Sequence, residues 1–206
     1  RLLAAKRATI GELTAWLAKY RDHSVADKIY RLAVGRSTKK VRKHRKTIVT
    51  YMGEAFQPVV PPSALHRHLA ALPKLPLLVD CWYDNAMLGA LAGRANWGQA
   101  QGLSQSEHFG TWVGYYDNTG AITTPEVAAQ WDTLYYKPIG GISPAKSFLV
   151  SDSDYVEVLT EIDIQTPIPP RVQELRAGRG FLFLGCRFND QLQRTFARQI
   201  MKRSSD

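Results

Sequence analysis

Apolar residues recur along this chain at two different spacings, and the change between them falls near Leu77. Before that point the spacing is helical. Thr9-x-x-Glu12 is a capping box, followed by Leu13, Trp16, Leu17 and Tyr20. Ser24-x-x-Asp27 opens a second helix carrying Val25, Ile29 and Leu32, with Gly35 as its stop. A third helix is predicted from about Thr38 to Phe56, with Val41, Ile48, Met52 and Phe56 as its apolar stripe. Pro58, Pro61 and Pro62 break the pattern, and Ser63 caps a short helix with Leu65, Leu69 and Leu72 on one face.

From Leu77 onward, short apolar runs alternate with helical stretches, the signature of βαβ units and a parallel sheet. Strands are predicted at Leu77–Val79, Thr133–Lys137, Phe148–Val150 and Phe181–Leu184. The last is apolar throughout, as a central strand would be. Asp84 caps a helix carrying Met87, Leu88 and Leu91, with Gly93 at its end, and Pro125–Trp131 fits another. Residues 97–123 read as an irregular insert, with Asp117-Asn118-Thr119-Gly120 turning a hairpin between Trp112–Tyr116 and Ala121–Thr123. Ser151 to Asp154 supply caps for a helix through about Leu159. Pro169 and Pro170 suit the first turn of a helix that Gly178 stops. Asp190 starts the last helix, with Leu192, Phe196 and Ile200 inward and Arg194, Arg198, Lys202 and Arg203 toward its end. The expectation is an α/β fold: a Rossmann-like, mostly parallel sheet with flanking helices, preceded by a helical N-terminal segment. Residues 1–60 form a basic helical segment packing on the core, and residues 61–206 the α/β domain.

A length of 206 residues suits one such domain. The net charge of +9 is lopsided: residues 1–50 hold 14 Lys and Arg against 3 Asp and Glu, the remainder 13 against 15. The excess therefore belongs to the N-terminal helices. Its densest part, Arg36 to Lys46, has seven cations in eleven residues and no acid. Such a run is most often a solvated face or meets an acidic protein partner; nucleic acid and an anionic membrane surface are the other readings. No stacking aromatics interleave with it, which disfavours single strands. Two cysteines, Cys81 and Cys186, make neither a disulfide framework nor a zinc site and suit a reducing cytosol. No run approaches the ~18 apolar residues of a membrane helix, and no signal peptide is visible, so a cytoplasmic protein is expected. The chain begins with Arg1 and not Met, as a fragment or a processed form would.

Three apolar runs end in polar clusters: Asp80-Cys81-Trp82-Tyr83-Asp84, Lys137-Pro138-Ile139-Gly140-Gly141 and Gly185-Cys186-Arg187-Phe188-Asn189-Asp190. Ligands of open α/β sheets bind outside the carboxyl ends of the strands, so the three endings are candidates to converge on one pocket. Asp80, Lys137, Arg187 and Asn189 would line it, and Gly140, Gly141 and Gly185 would let a ligand approach the backbone. The bland reading of Asp84 and Asp190 is that each satisfies free N–H groups at a helix start. His23, His44, His66 and His68 read as surface residues. His108, near Glu107, is the one place for a substitute base. No metal site is expected. The aromatics Trp97, Trp112, Tyr115, Tyr116, Trp131, Tyr135 and Tyr136 read as core and cover for a sheet face, or else as walls of a pocket or interface.

The order of these motifs, with Phe148-Leu149-Val150-Ser151-Asp152-Ser153-Asp154-Tyr155 between the second and third, resembles the bacterial sirtuin-like domain over about residues 63–203. That family is similar to the silent-information-regulator deacetylases and in bacteria often serves as an NAD-hydrolysing module in defence systems. Its pattern is a strand with Thr-Thr-Asn-aromatic-Asp, then Lys-Leu-His-Gly, then an acidic turn ending in Tyr, then Gly-x-Ser-Phe-x-Asp. The resemblance implies a cofactor cleft for NAD or a related nucleotide, lined by Asp80, Trp82, Asp84, Lys137, Gly140, Gly185, Arg187 and Asn189. It also implies a divergent member. The family's reactive Asn falls at Trp82, its catalytic His at Ile139, and neither side chain accepts a proton. Nothing in residues 1–60 matches the family's Gly-Ala-Gly-x-Ser phosphate loop, which lies upstream of Arg1 or has been lost.

The leading expectation is accordingly a catalytically impaired sirtuin-like protein that binds a nucleotide or a protein partner in a regulatory role. The alternative is an active NAD-consuming hydrolase or NAD-dependent protein deacylase with Asp80 as a replacement acid or base. A second alternative is a nucleic-acid-associated protein using Arg36 to Lys46.

Overall fold

In the computed structural model, residues 38–104, 108, 110–150, 168–189 and 191–201 are described, the side chains of 38–44, 191, 192, 195 and 199 excepted. The helices read at Thr9–Gly35 and Ser151–Leu159 lie outside the described residues, as do Arg36 and Ser37. Six helices are present among these residues: α1 (Thr38–Phe56), α2 (Ala64–Ala71), α3 (Ala86–Leu91), α4 (Pro125–Ala128), α5 (Pro170–Arg176) and α6 (Gln191–Met201). The main sheet is built from β1 (Leu77–Val79), β2 (Trp97–Gly102), β3 (Val113–Asp117), β4 (Ile122–Thr123) and β5 (Thr133–Lys137), in the spatial order β1-β5-β2-β3-β4. A small ribbon of β6 (Gly140–Gly141) and β7 (Ser147–Phe148) lies beyond β5. This is an α/β protein.

β5 is central because its sequence tolerates burial on both faces. Thr-Leu-Tyr-Tyr-Lys is rich in β-formers, every residue is buried, and parallel neighbours β1 and β2 flank it. Leu134 and Tyr136 face one core with Ala100 of β2 and with Val172, Leu175 and Ile200 of α5 and α6. Tyr135 points to the other face, where Trp97 joins Met87 and Leu91 of α3 and Leu69 of α2. The period of two thus divides the strand between two helical layers.

The expected parallel-cored sheet with flanking helices is present: β1, β5 and β2 form the parallel core, and β3 and β4 add an antiparallel edge. Other expectations need correction. Part of the stretch read as an insert is no insert: residues 97–102 form β2, the middle strand. Its alternation of Gly98, Ala100 and Gly102 with Gln99 and Gln101 hides the usual apolar signal. Phe181–Leu184 joins no ladder among the described residues. Phe181 and Phe183 pack on the first core, while Leu182 and Leu184 face solvent at 81% and 43% exposure. Leu65, expected inward on α2, is also exposed.

Other readings agree with the structure. α1 spans the predicted residues, with Met52 buried and Ile48 and Phe56 packed beside it. Ser63 caps α2 in a reciprocal box with His66. The hairpin turns at Gly120, whose φ of 86° favours glycine, and Gly178 ends α5 with φ 67°.

Candidate functional site

Beyond the carboxyl ends of β1 and β5 the polar groups gather. The N–H of Asp80 still bonds to Tyr136 O at 2.9 Å, so the ladder carries Asp80 into register beside Lys137. Lys137 Nζ lies 3.0 Å from Asp80 Oδ2, 3.0 Å from the Asp84 carbonyl and 3.3 Å from the Tyr135 hydroxyl. An ammonium has three donors, and here each has an acceptor. Tyr135 donates to the same Asp80 oxygen at 2.5 Å, and Asp80 Oδ1 accepts from Trp82 N at 2.9 Å. Burial, with the Asp80 carboxylate next in effect, holds the Tyr135 phenol well above its usual range, so it remains a donor. Asp84 Oδ1 accepts from Ala86 N at 3.0 Å, the capping role expected of a carboxylate at a helix start.

Lys137 therefore acts as an internal clamp on the turn 80–84. The turn is held from its other side as well. The Tyr83 hydroxyl donates to Leu149 O, and Ile142 N donates to Tyr83 O at 3.1 Å. Ile139 is buried in the apolar cluster that includes Tyr83, Phe148, Leu149 and Met52, and Leu149 N donates to its carbonyl. Trp82, half-buried, packs against Phe56 and Tyr83 with ring centroids 5.8 and 5.7 Å apart. Trp82 and Ile139 thus adjoin the same cluster from two sides.

The ribbon β6–β7 covers the polar end of the sheet, and two buried glutamines hold it there. Gln101 Nε2 donates to Ala145 O at 2.6 Å and Gln99 Nε2 to Ser143 O at 3.2 Å. Gln99 Oε1 has no hydrogen-bond partner among the described residues. Gly140, φ 80°, lies so close to the Ser147 carbonyl that a Cβ would overlap it, so the ribbon itself requires this glycine.

The third ending comes near the first. Cys81 and Cys186 are both exposed. Protein still crowds the Cys81 thiol: desolvation chiefly, then the Asp80 carboxylate, then Cys186, raise its pKa. Gly185 (φ 71°) and Phe188 (φ 52°) shape the turn around Cys186. On it Arg187 is exposed, with no hydrogen-bond or ion-pair partner among the described residues, and Asn189 is exposed too.

Other candidates fall elsewhere. His108 is exposed and its N–H bonds to Ser104 O. His66 is committed to the α2 cap. Of the basic run only Arg45 and Lys46 have described side chains. Lys46 is exposed, but Arg45 is buried and donates to Ser104 Oγ. Among the described residues no group of three His, Cys, Asp or Glu could hold a metal, and no helix is long and apolar enough to cross a membrane.

Tyr135, Gln99 and Gln101 had no place in the site read from sequence. A signal existed: Gln99-x-Gln101 and Tyr135-x-Lys137 repeat polar atoms at period two inside otherwise buried strands.

A parallel-cored sheet between helical layers, with its polar groups gathered at the strands' carboxyl ends, is the architecture of Rossmann-like proteins. The chain belongs to the SIR2-like domain family, whose model matches residues 76–206, well over half its length. No curated protein and no solved structure matches it significantly.

Proposed function

We propose that this SIR2-like chain is a nucleotide- or partner-binding regulatory module with little or no power to cleave NAD. The observation that carries the reading is the closed network of Asp80, Tyr135 and Lys137. The Asp80 carboxylate, the one acid suited to replace a missing base, already accepts three hydrogen bonds from the protein. Ile139 occupies the position that resemblance assigns to the family's histidine, and its aliphatic side chain belongs to a packed apolar cluster. Loss of a positioned base alone removes about 10²–10⁴-fold of rate.

The chain's groups fit a nucleotide in part. Lys137 has its donors occupied, and Gly140 is taken up by the ribbon. Arg187 and Asn189 on the exposed turn remain, and a guanidinium there suits a phosphate. Trp82, half-buried at the first strand end, offers an apolar ring for a flat base. In this reading NAD, or its ADP-ribose portion, is a bound ligand and not a substrate, and no metal takes part.

Incubation with NAD is expected to release no nicotinamide above the uncatalysed background. ADP-ribose is expected to bind in a calorimetric titration and to bind about tenfold more weakly to Arg187→Ala, the loss of one charge-assisted contact. Turnover of NAD that Asp80→Ala abolishes overturns the reading in favour of an active hydrolase or deacylase.

A further inference from the structure

The sequence has two cysteines, and folding brings them to the same end of the same core. Asp80 N still bonds to Tyr136 O, so the strand alternation runs past β1, and Cys81 continues the row of Leu77 and Val79 on the first core. Phe181 and Phe183 pack on that core from a distant part of the chain, shortly before Cys186. Gly185, with φ 71°, turns the backbone there, and the Cys186 thiol folds back to 3.7 Å from Leu184 O. At Cys81 the charge of Cys186 weighs more than the Lys137 ammonium does. Lys137 Nζ is itself 3.0 Å from the carboxylate of Asp80, the residue beside Cys81, so the second sulfur is close. Both thiols are free and both reach solvent.

We propose that Cys81 and Cys186 are a reversible redox pair, whose disulfide clasps the turn after β1 to the Gly185–Asn189 turn. The oxidant is a low-molecular-weight disulfide such as oxidised glutathione. The Cys186 thiolate attacks one of its sulfurs, forming a mixed disulfide and expelling one glutathione thiolate, which takes up the proton that Cys186 released. The Cys81 thiolate then attacks the Cys186 sulfur, the mixed disulfide breaks, and the second glutathione leaves with the Cys81 proton. Two protein thiols are oxidised and one small disulfide is reduced to two thiols. The second step is intramolecular, so a held geometry raises its effective concentration. Burial raises the pKa of both thiols, so the exchange is slow at neutral pH and quickens as pH rises. Excess reduced glutathione runs the same steps backward and opens the clasp. Arg187 and Asn189 ride on the clasped turn, so redox state sets how firmly they are held. The pair forms whether or not a nucleotide binds, and thus goes beyond the function proposed above.

The test equilibrates the whole chain with oxidised and reduced glutathione at mildly alkaline pH, both folded and in urea, then quenches with acid and reads the digest by mass spectrometry. Peptides joined through Cys81 and Cys186 are expected to be at least about tenfold more abundant from the folded chain than from the unfolded chain at the same glutathione ratio. Cys81→Ser and Cys186→Ser should each leave the other cysteine reduced or joined to glutathione. The oxidised chain should unfold at a higher urea concentration than the reduced chain, and the serine variants should show no such shift. A stable mixed disulfide at Cys186 beside a free Cys81 overturns the proposal. So do links no commoner than in the unfolded chain, links joining two copies, or a urea midpoint that does not rise on oxidation.

Discussion

Lys137 and Asp80, 57 residues apart in sequence, meet at 3.0 Å with the lysine side chain wholly buried and the aspartate still reaching solvent. That asymmetry has a consequence for stability. Asp80→Asn leaves a buried ammonium without its counter-charge and is expected to cost about 3 kcal/mol or more. Lys137→Met leaves a carboxylate that keeps Tyr135 and Trp82 N as donors and has water at hand, and should cost less. Urea unfolding of the two variants gives the order; a costlier Lys137→Met would refute the clamp.

The two glutamines of β2 predict a similar inequality. Gln101→Leu strips the Ala145 carbonyl of its donor and is expected to destabilise by about 1–3 kcal/mol. Gln99→Leu loses two longer bonds, to Ser143 O and Gln101 Oε1, and removes an oxygen without a partner among the described residues, so its cost should be smaller. Equal unfolding midpoints for the two would show that the ribbon is held otherwise.

Alkaline conditions should loosen the sheet. Burial raises the Tyr135 and Tyr136 phenols above their ordinary range, so both stay protonated in the folded chain where unfolded tyrosines, near a pKa of about 10, ionise. In that window the unfolded state binds fewer protons, so stability is complete below about pH 10 and falls as pH rises through the folded values. Denaturant midpoints from about pH 8 to about pH 11 should be flat and then decline. No decline would mean that these phenols ionise freely in the fold.

Thiol chemistry offers an independent probe of the strand ends. Cys81 is exposed, but desolvation and Asp80 raise its pKa; Cys186 is raised by desolvation alone. Because the thiolate is the nucleophile, Cys186 should alkylate faster than Cys81, and Cys81 at least about tenfold slower than free cysteine. Mass spectrometry after timed iodoacetamide treatment decides it. Rapid labelling of Cys81 would place its sulfur in open solvent.

Room at the sheet's end is tighter still. A Cβ at Gly102 would strike the Pro138 carbonyl, a backbone atom that cannot swing aside. Gly102→Ala is expected to cost about 1–3 kcal/mol by overpacking. An alanine variant with an unchanged melting temperature would show that β2 and the Pro138 turn separate readily.

Local patterns carried α1, α2, β1, β5 and the β3–β4 hairpin, because each depends on neighbours in sequence: a capping residue, a glycine turn, a run of β-formers. Where burial and pairing part company the reading failed. Phe181–Leu184 is apolar enough for a central strand, yet apolarity records a tendency to leave water and not the presence of a hydrogen-bonding neighbour. β2 failed in the opposite sense, since glutamine and glycine conceal a strand that the fold buries completely.

The residues around the site were legible as types: carboxylates, a lysine, glycines and an arginine at strand ends, in an order that resembles sirtuin-like proteins. Which of them pair with one another was decided by strand order. β5 lies between β1 and β2, and only that arrangement sets Lys137 beside Asp80 and Tyr135 and uses up their charges internally. A side chain's chemistry is encoded at its own position. Its partners are chosen by segments that meet only when the chain has folded.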